Sequence, residues 1–120
     1  MFGNTGVFNN TVTRYLSPYW SDSLAPTSAQ QFRIPRAGVI QSLRVHHNSP
    51  AGNGNIIIYT LRVNSVATAL TASMGSTAAD GSDLVNAVTV AAGDLIDIVV
   101  IKASSIVSSP DDITATMEFV

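Results

Sequence analysis

The sequence predicts an all-β fold, an antiparallel β-sandwich of the jelly-roll type, on three observations. About eight short segments rich in Val, Ile, Thr and aromatic residues are separated by turn signals every ~8–12 residues. No segment carries the 3.6-residue apolar period over the length of an ordinary helix. Third, Ala91-Ala92-Gly93-Asp94 turns straight into Leu95-Ile96-Asp97-Ile98-Val99-Val100-Ile101, a strand apolar on both faces. Strand alternation puts Ile96, Ile98 and Val100 on one side and Leu95, Val99 and Ile101 on the other. An antiparallel sheet normally wets one face, so this strand needs a layer beyond its own core, most economically another subunit.

Composition narrows the function. The chain has 120 residues, enough for one domain with one core. It is 46% hydrophobic and only 12% charged, about half the usual charged share of ~25%. Such a surface can be buried without stranding many charges, which suits protein contacts. A net charge of −2, with six Lys and Arg spread along the chain, argues against an electrostatic nucleic-acid binder. Without cysteine there is no disulfide framework and no thiolate zinc site. Met1-Phe2-Gly3-Asn4-Thr5-Gly6 lacks a secretory start, and no run reaches the ~20 apolar residues of a membrane span, so folding in a cytoplasm is expected.

Residues 1–28 read as an N-terminal arm and residues 29–120 as the sandwich domain. The arm holds Phe2, Phe8, Tyr15, Tyr19 and Trp20, and so many rings imply that it docks on something. Residues 1–10 are expected on a neighbour and residues 11–20 on the same chain, with Thr11 to Leu16 as a strand ended by Ser17-Pro18. Gln30 to Ile34 is a short strand, and Pro35-Arg36-Ala37-Gly38 a tight turn. Val39 to His47 follows, with Val39, Leu43 and Val45 inward and Ser42, Arg44 and His46 outward. Residues 48–55 form a loop. Ile56 to Val63 places Ile57, Tyr59, Leu61 and Val63 on one side, while Ile56 and Ile58 make the other side oily as well. Asn64-Ser65 turns into Val66 to Ser73, and residues 75–83 form a second loop. Leu84, Val88 and Val90 share a face of the next strand. After a loop over 104–112, Ile113 to Val120 closes the domain, holding the C-terminus in the sheet. One echo, Ile34-Pro35-Arg36-Ala37-Gly38 against Val90-Ala91-Ala92-Gly93-Asp94, reads as one turn used twice.

Three stretches carry a family resemblance: Phe32-Arg33-Ile34-Pro35-Arg36-Ala37-Gly38-Val39-Ile40 through Val45, Tyr59-Thr60-Leu61-Arg62-Val63 through Thr71, and Val88-Thr89-Val90 through Ile96. Their order and spacing over residues 30–120 resemble the small trimeric jelly rolls of tailed-phage decoration (cement) proteins. The pattern is also similar to tumour-necrosis-factor-like heads of bacterial collagen-like proteins, but no Gly-X-Y tract is present. The resemblance implies a homotrimer on the exterior of a virion, assembled in the host cytoplasm, clamping neighbouring subunits of the major capsid protein. In that reading Phe2, Phe8, Tyr19 and Trp20 are the capsid anchors.

No motif names a reaction, so the expectation is a non-enzyme without cofactor, metal, nucleic-acid, membrane or small-molecule partner. His46 and His47 point to opposite faces of a strand and cannot chelate one ion together. Asp80, Asp83, Asp111 and Asp112 lack the fuller ligand set of a calcium loop and read as turn carboxylates. Glu118 reads as a surface or interface charge. Asp97 interrupts the oily face of its strand: in an interface it needs a donor, for which Arg44 or Arg62 on a facing strand would act as a register lock, and otherwise it lies at a wet edge. Ile56, Ile58, Asp97, Arg44 and Arg62 are thus the expected oligomer contacts. The rival reading is a carbohydrate- or receptor-binding module, against which stands the absence of aromatic residues from loops 48–55 and 75–83.

Overall fold

Ten strands and no helix are found among the described residues of the computed structural model, which are 1–7, 11–50, 52, 56–75, 77–102 and 112–120. They are β1 (Phe2–Gly6), β2 (Arg14–Tyr15), β3 (Ser21–Leu24), β4 (Phe32–Arg33), β5 (Gly38–His46), β6 (Ile57–Val63), β7 (Val66–Met74), β8 (Asp80–Val90), β9 (Leu95–Lys102) and β10 (Ile113–Phe119). The first sheet has the order β3-β1-β10-β5-β8; the second runs β2-β9-β6-β7, with β4 also on β9. The all-β sandwich expected from the turn spacing is the observed architecture. The two strands beyond the eight expected, β1 and β3, both lie in the arm, where Gly, Asn, Ser and Thr leave no apolar alternation to mark them.

The strand that is oily on both sides is central in its sheet. β6 pairs along one edge of β9 from Ile57 opposite Lys102 to Val63 opposite Ile96, and β2 and β4 lie on its other edge. Its inner face, Ile96, Ile98 and Val100, enters the core with Ile57, Tyr59 and Leu61 of β6 and Ile113 and Ala115 of β10. Burying each such aliphatic side chain stabilises by roughly 1.5–3 kcal/mol, an upper figure because unfolded chains already bury some apolar area.

The arm is woven into both sheets of its own chain. β1 pairs antiparallel with β10, Phe2 opposite Ala115 and Asn4 opposite Ile113, and β3 runs parallel to β1. This corrects the expectation that the first residues lie on a neighbour, for residues 2–6. The edge of β10 offers unpaired backbone groups beside them, and buried N–H and C=O groups must find partners. Buried Asn4 ties the return of the arm: its Nδ2 donates to Ser17 Oγ (3.0 Å) and its Oδ1 accepts from the Ser17 N–H (2.8 Å). Phe8 lies outside the described residues.

A bulge at Ser42, with φ +56°, shifts the register of β5 against both neighbours. The bulge changes which side chains are inward: Ile40, Leu43 and Val45 are buried, whereas Val39 is only half-buried. Opposite Ser42, residues 84–86 loop out of β8, so Leu84 is exposed rather than sharing a face with Val88 and Val90. The two echoing turns are neighbours: Gly38 pairs with Val90, and the Ile34 N–H donates to the Asp94 carbonyl (2.8 Å) while the Gly93 N–H donates to the Ile34 carbonyl (2.8 Å).

Candidate functional surfaces

The outer face of the second sheet carries the residues expected in an oligomer contact. Asp97 is fully buried, and Arg62, directly opposite on β6, donates to both its oxygens, Nε to Oδ1 and Nη2 to Oδ2, each at 2.7 Å. The guanidinium also lies 4.9 Å from the Tyr15 ring centroid, a cation–π contact. The Asp97 hydrogen bond raises the Arg62 pKa above its already high value, so the guanidinium stays charged. Arg62 is therefore the partner of Asp97, within one chain and in cross-strand register. Arg44 is not: it is exposed on β5 of the other sheet, opposite Thr116 and Ser82.

This same-chain pair also corrects the expectation that a second subunit must cover the whole outer face of β9. Tyr15 and Arg62 shield the middle of the strand, leaving Val99 buried. Beyond it the face is open: Ile101 and Ile56 are exposed, and Ile58, opposite Ile101, is half-buried. The polar side chains between are tied to their own sheet. Thr60 and Thr71 share a 2.8 Å hydroxyl hydrogen bond, and Thr71 Oγ1 donates to the Tyr59 carbonyl (3.0 Å).

The proposed anchors separate. Phe2 is 3% exposed and belongs to the core, because β1 turns it between the sheets; it is not available as an anchor. Tyr19 is 64% exposed with φ +63°, an uncommon conformation for a bulky residue, held where its N–H donates to the Met1 carbonyl. It borders an apolar cleft of about 270 Å³ at one end of the sandwich, with Phe32, Ile34, Met117 and Phe119. Its ring meets Phe32 edge-on at 6.0 Å, and Arg36 lies 4.5 Å over the Phe119 ring. Trp20, 40% exposed, lies elsewhere, against Gly3 on the first sheet.

Two buried polar centres were not legible as such. Asp83 lies where residues 84–86 leave β8: its Oδ1 accepts from the N–H groups of Val85 and Asn86 (3.1 Å each), and its Oδ2 from Asn86 Nδ2 (2.8 Å) and from the Thr71 N–H of β7 (3.1 Å). The Asn86 hydrogen bonds hold its carboxyl down to about 2. The residue thus shapes the bulge and joins the two sheets. Asp83→Ala is expected to destabilise by about 2–3 kcal/mol in urea unfolding, since it strands several donors at once. A loss below about 0.5 kcal/mol would mean water replaces the carboxylate fully. An Asp with Asn three residues on was the only available signal.

His46 and His47 point to opposite faces. His46 Nδ1 donates to Asp80 Oδ1 at 2.7 Å on the surface, while His47 is buried and shares a 2.6 Å hydrogen bond between Nε2 and Tyr59 Oη. Burial pulls the His47 pKa down to about 4 and pushes that of Tyr59 far up. At the far end of β9, Lys102 is buried and Nζ donates to the Val7 carbonyl (2.7 Å); burial, then nearby Arg14, lowers its pKa to about 8. Asp112 accepts from Asn48 Nδ2 at 2.7 Å, whereas Asp111 lies outside the described residues. Glu118 is exposed; hydrogen bonds from Gln41 Nε2 (3.1 Å) and Ser42 Oγ (3.0 Å) lower its pKa. Among the described residues no three His, Asp or Glu side chains are grouped to hold a metal ion.

No family model matches the chain, and no curated protein matches it. Among solved structures it is similar to a Paenibacillus sp. cycloisomaltooligosaccharide glucanotransferase complexed with cycloisomaltoheptaose, at 14% identity and a TM-score of 0.38. That alignment covers 95% of this chain but 17% of the other, so the chain spans about a sixth of that protein's length.

Proposed function

We propose that this chain is a non-enzymatic structural protein of a virion, a decoration or cement protein that self-associates, as a homotrimer, and clamps neighbouring major capsid protein subunits on the capsid exterior. The observation that carries the reading is the outer face of the second sheet. Its carboxylate is closed by Arg62, its threonine hydroxyls bond to each other, and Ile56, Ile58 and Ile101 stand open beside them. A face whose carboxylate and threonine hydroxyls are already satisfied in its own plane can meet another copy and lose water while leaving little more than the Ser73 hydroxyl, opposite Ile58, to be partnered. Such a face therefore gains from burial of its aliphatic side chains alone. With β3 and β4 set aside, the remaining eight strands fall in the rows β1-β10-β5-β8 and β2-β9-β6-β7, an order that supports the jelly-roll reading behind the family resemblance. Tyr19, at the apolar end cleft, is the shell-facing aromatic in this proposal.

The test is the mass in solution followed by particle stability. Wild type is expected to run as a trimer in sedimentation equilibrium, and Ile58→Glu or Ile101→Glu as a folded monomer, because a buried, unpaired carboxylate at the contact is strongly unfavourable. Particles carrying wild type should withstand heating that empties particles lacking it. A monomeric wild type at high concentration, or unchanged heat resistance without the protein, would overturn the proposal.

A further inference from the structure

We infer that the outer face of the first sheet is a binding site for a neutral oligosaccharide, with Trp20 as its stacking platform and Thr114, His46 and Asp80 as its polar row. Gly3 faces opposite to Phe2 and Asn4, and the six-membered ring of Trp20 occupies the space a side chain would take there. A Cβ at Gly3 would meet Trp20 Cε3 at 2.8 Å and Cζ3 at 3.2 Å. Trp20 thus lies on the sheet surface and is still 40% exposed. A ring of this size lying against a sheet offers a flat apolar platform on which a ligand can stack.

The register then lines up polar groups beside it. Gly3 is opposite Thr114, Thr114 opposite His46, and His46 opposite Asp80, one row across four strands. Three inter-strand steps span ~14 Å, room for an oligosaccharide rather than a single sugar. Arg44, Ser82 and Thr116 form the row next to it, and with Thr114, His46 and Asp80 they line a groove of about 350 Å³, one strand over from Gly3 and its indole cover. The 2.7 Å hydrogen bond from His46 Nδ1 to Asp80 fixes the tautomer, so that in the neutral ring Nε2 is an acceptor. The groove therefore offers hydroxyls that both donate and accept, a ring nitrogen and a carboxylate that accept, and a guanidinium that donates. That mixture matches sugar hydroxyls, which also do both, while the apolar face of a pyranose ring suits the indole. One Arg against one Asp leaves the groove without a dominant sign of charge, which favours a neutral glycan over an acidic one.

This site is on the opposite side of the sandwich from the proposed self-association face, so it stands or falls independently. The test uses the chain's one tryptophan as reporter. Wild type and the Ile58→Glu variant are titrated with cellotetraose, maltotetraose, mannotetraose and chitotetraose to about 10 mM, a range that covers millimolar affinities. A saturable change in Trp20 emission with at least one, and amide shifts at Thr114, Thr116 and Ser82 giving the same Kd, are expected in both proteins. Trp20→Ala, followed by amide shifts, should weaken binding about tenfold or more. Thr114→Val, which keeps the shape but removes the hydroxyl, should weaken it severalfold and gives a second reading if Trp20→Ala fails to fold. No saturable response to any probe, shifts that map elsewhere, or undiminished affinity in both variants would overturn the inference.

Discussion

Asp97→Ala is expected to lower the unfolding free energy by about 3–5 kcal/mol, the cost of removing one member of a buried ion pair. The Asp97 side chain is 1% exposed and that of Arg62 17%, so the alanine variant leaves a guanidinium with little water and only the Tyr15 ring as company. The comparison that isolates the mechanism is Arg62→Met with Asp97→Leu: swapping the whole pair for apolar side chains of similar size is expected to be near neutral or stabilising. Urea unfolding of the two single variants and the double variant supplies the cycle. Because the pair is sheltered, its coupling should change little between low and moderate salt, unlike a surface pair. If Asp97→Ala costs less than about 1 kcal/mol, the pair is not the lock on the β6–β9 register.

Acidification gives the second large effect. The His47 pKa is about 4 in the fold against 6.5 for a free imidazole, so the unfolded chain binds the extra proton first as pH falls. The stability tied to neutral His47 is fully present above pH 6.5 and is lost between 6.5 and 4. The full shift corresponds to at most about 3 kcal/mol. Below pH 4 the slope passes to Asp83, whose depressed pKa supplies stability that is present above the free carboxylate value and lost as pH falls toward 2. Urea midpoints at pH 7, 5.5 and 4.5 should fall for wild type, and for His46→Ala as well, since burial is the larger cause of the His47 shift and the charge of His46 only the second. His47→Gln should start lower, since Tyr59 Oη loses its imidazole partner, and should be nearly flat over that interval. A His47→Gln chain with the wild-type slope would place the titration elsewhere.

Much of the sandwich was legible because its signal is local. Ile57, Tyr59 and Leu61 alternate with more polar neighbours and are buried as alternation requires, and so are Ile113 and Ala115. Asp97 stood out for the same reason, a carboxylate in an apolar run, but the pattern offered Arg44 and Arg62 alike as donors on a facing strand and could not choose between them. Local pattern failed where a bulge intervenes. Ser42 and residues 84–86 each break the two-residue period, so Val39 and Leu84 were misassigned, since one inserted residue exchanges the two faces of a strand. The placement of Trp20 over Gly3 had no signal at all, because it depends on β3 returning beside β1.

Alone, the order of residues determined that this chain is a two-layered β protein with little charge and one carboxylate embedded in an apolar strand; alternation and turn chemistry act over a few neighbours and need no fold to be read. The tertiary structure decided which strands touch: that the arm completes its own sheets, that Arg62 rather than Arg44 closes Asp97, and that Trp20, Thr114, His46 and Asp80 share one surface. Those contacts join residues tens of positions apart, and pairing at such separations is set by the packing of whole sheets, which no short window of sequence contains.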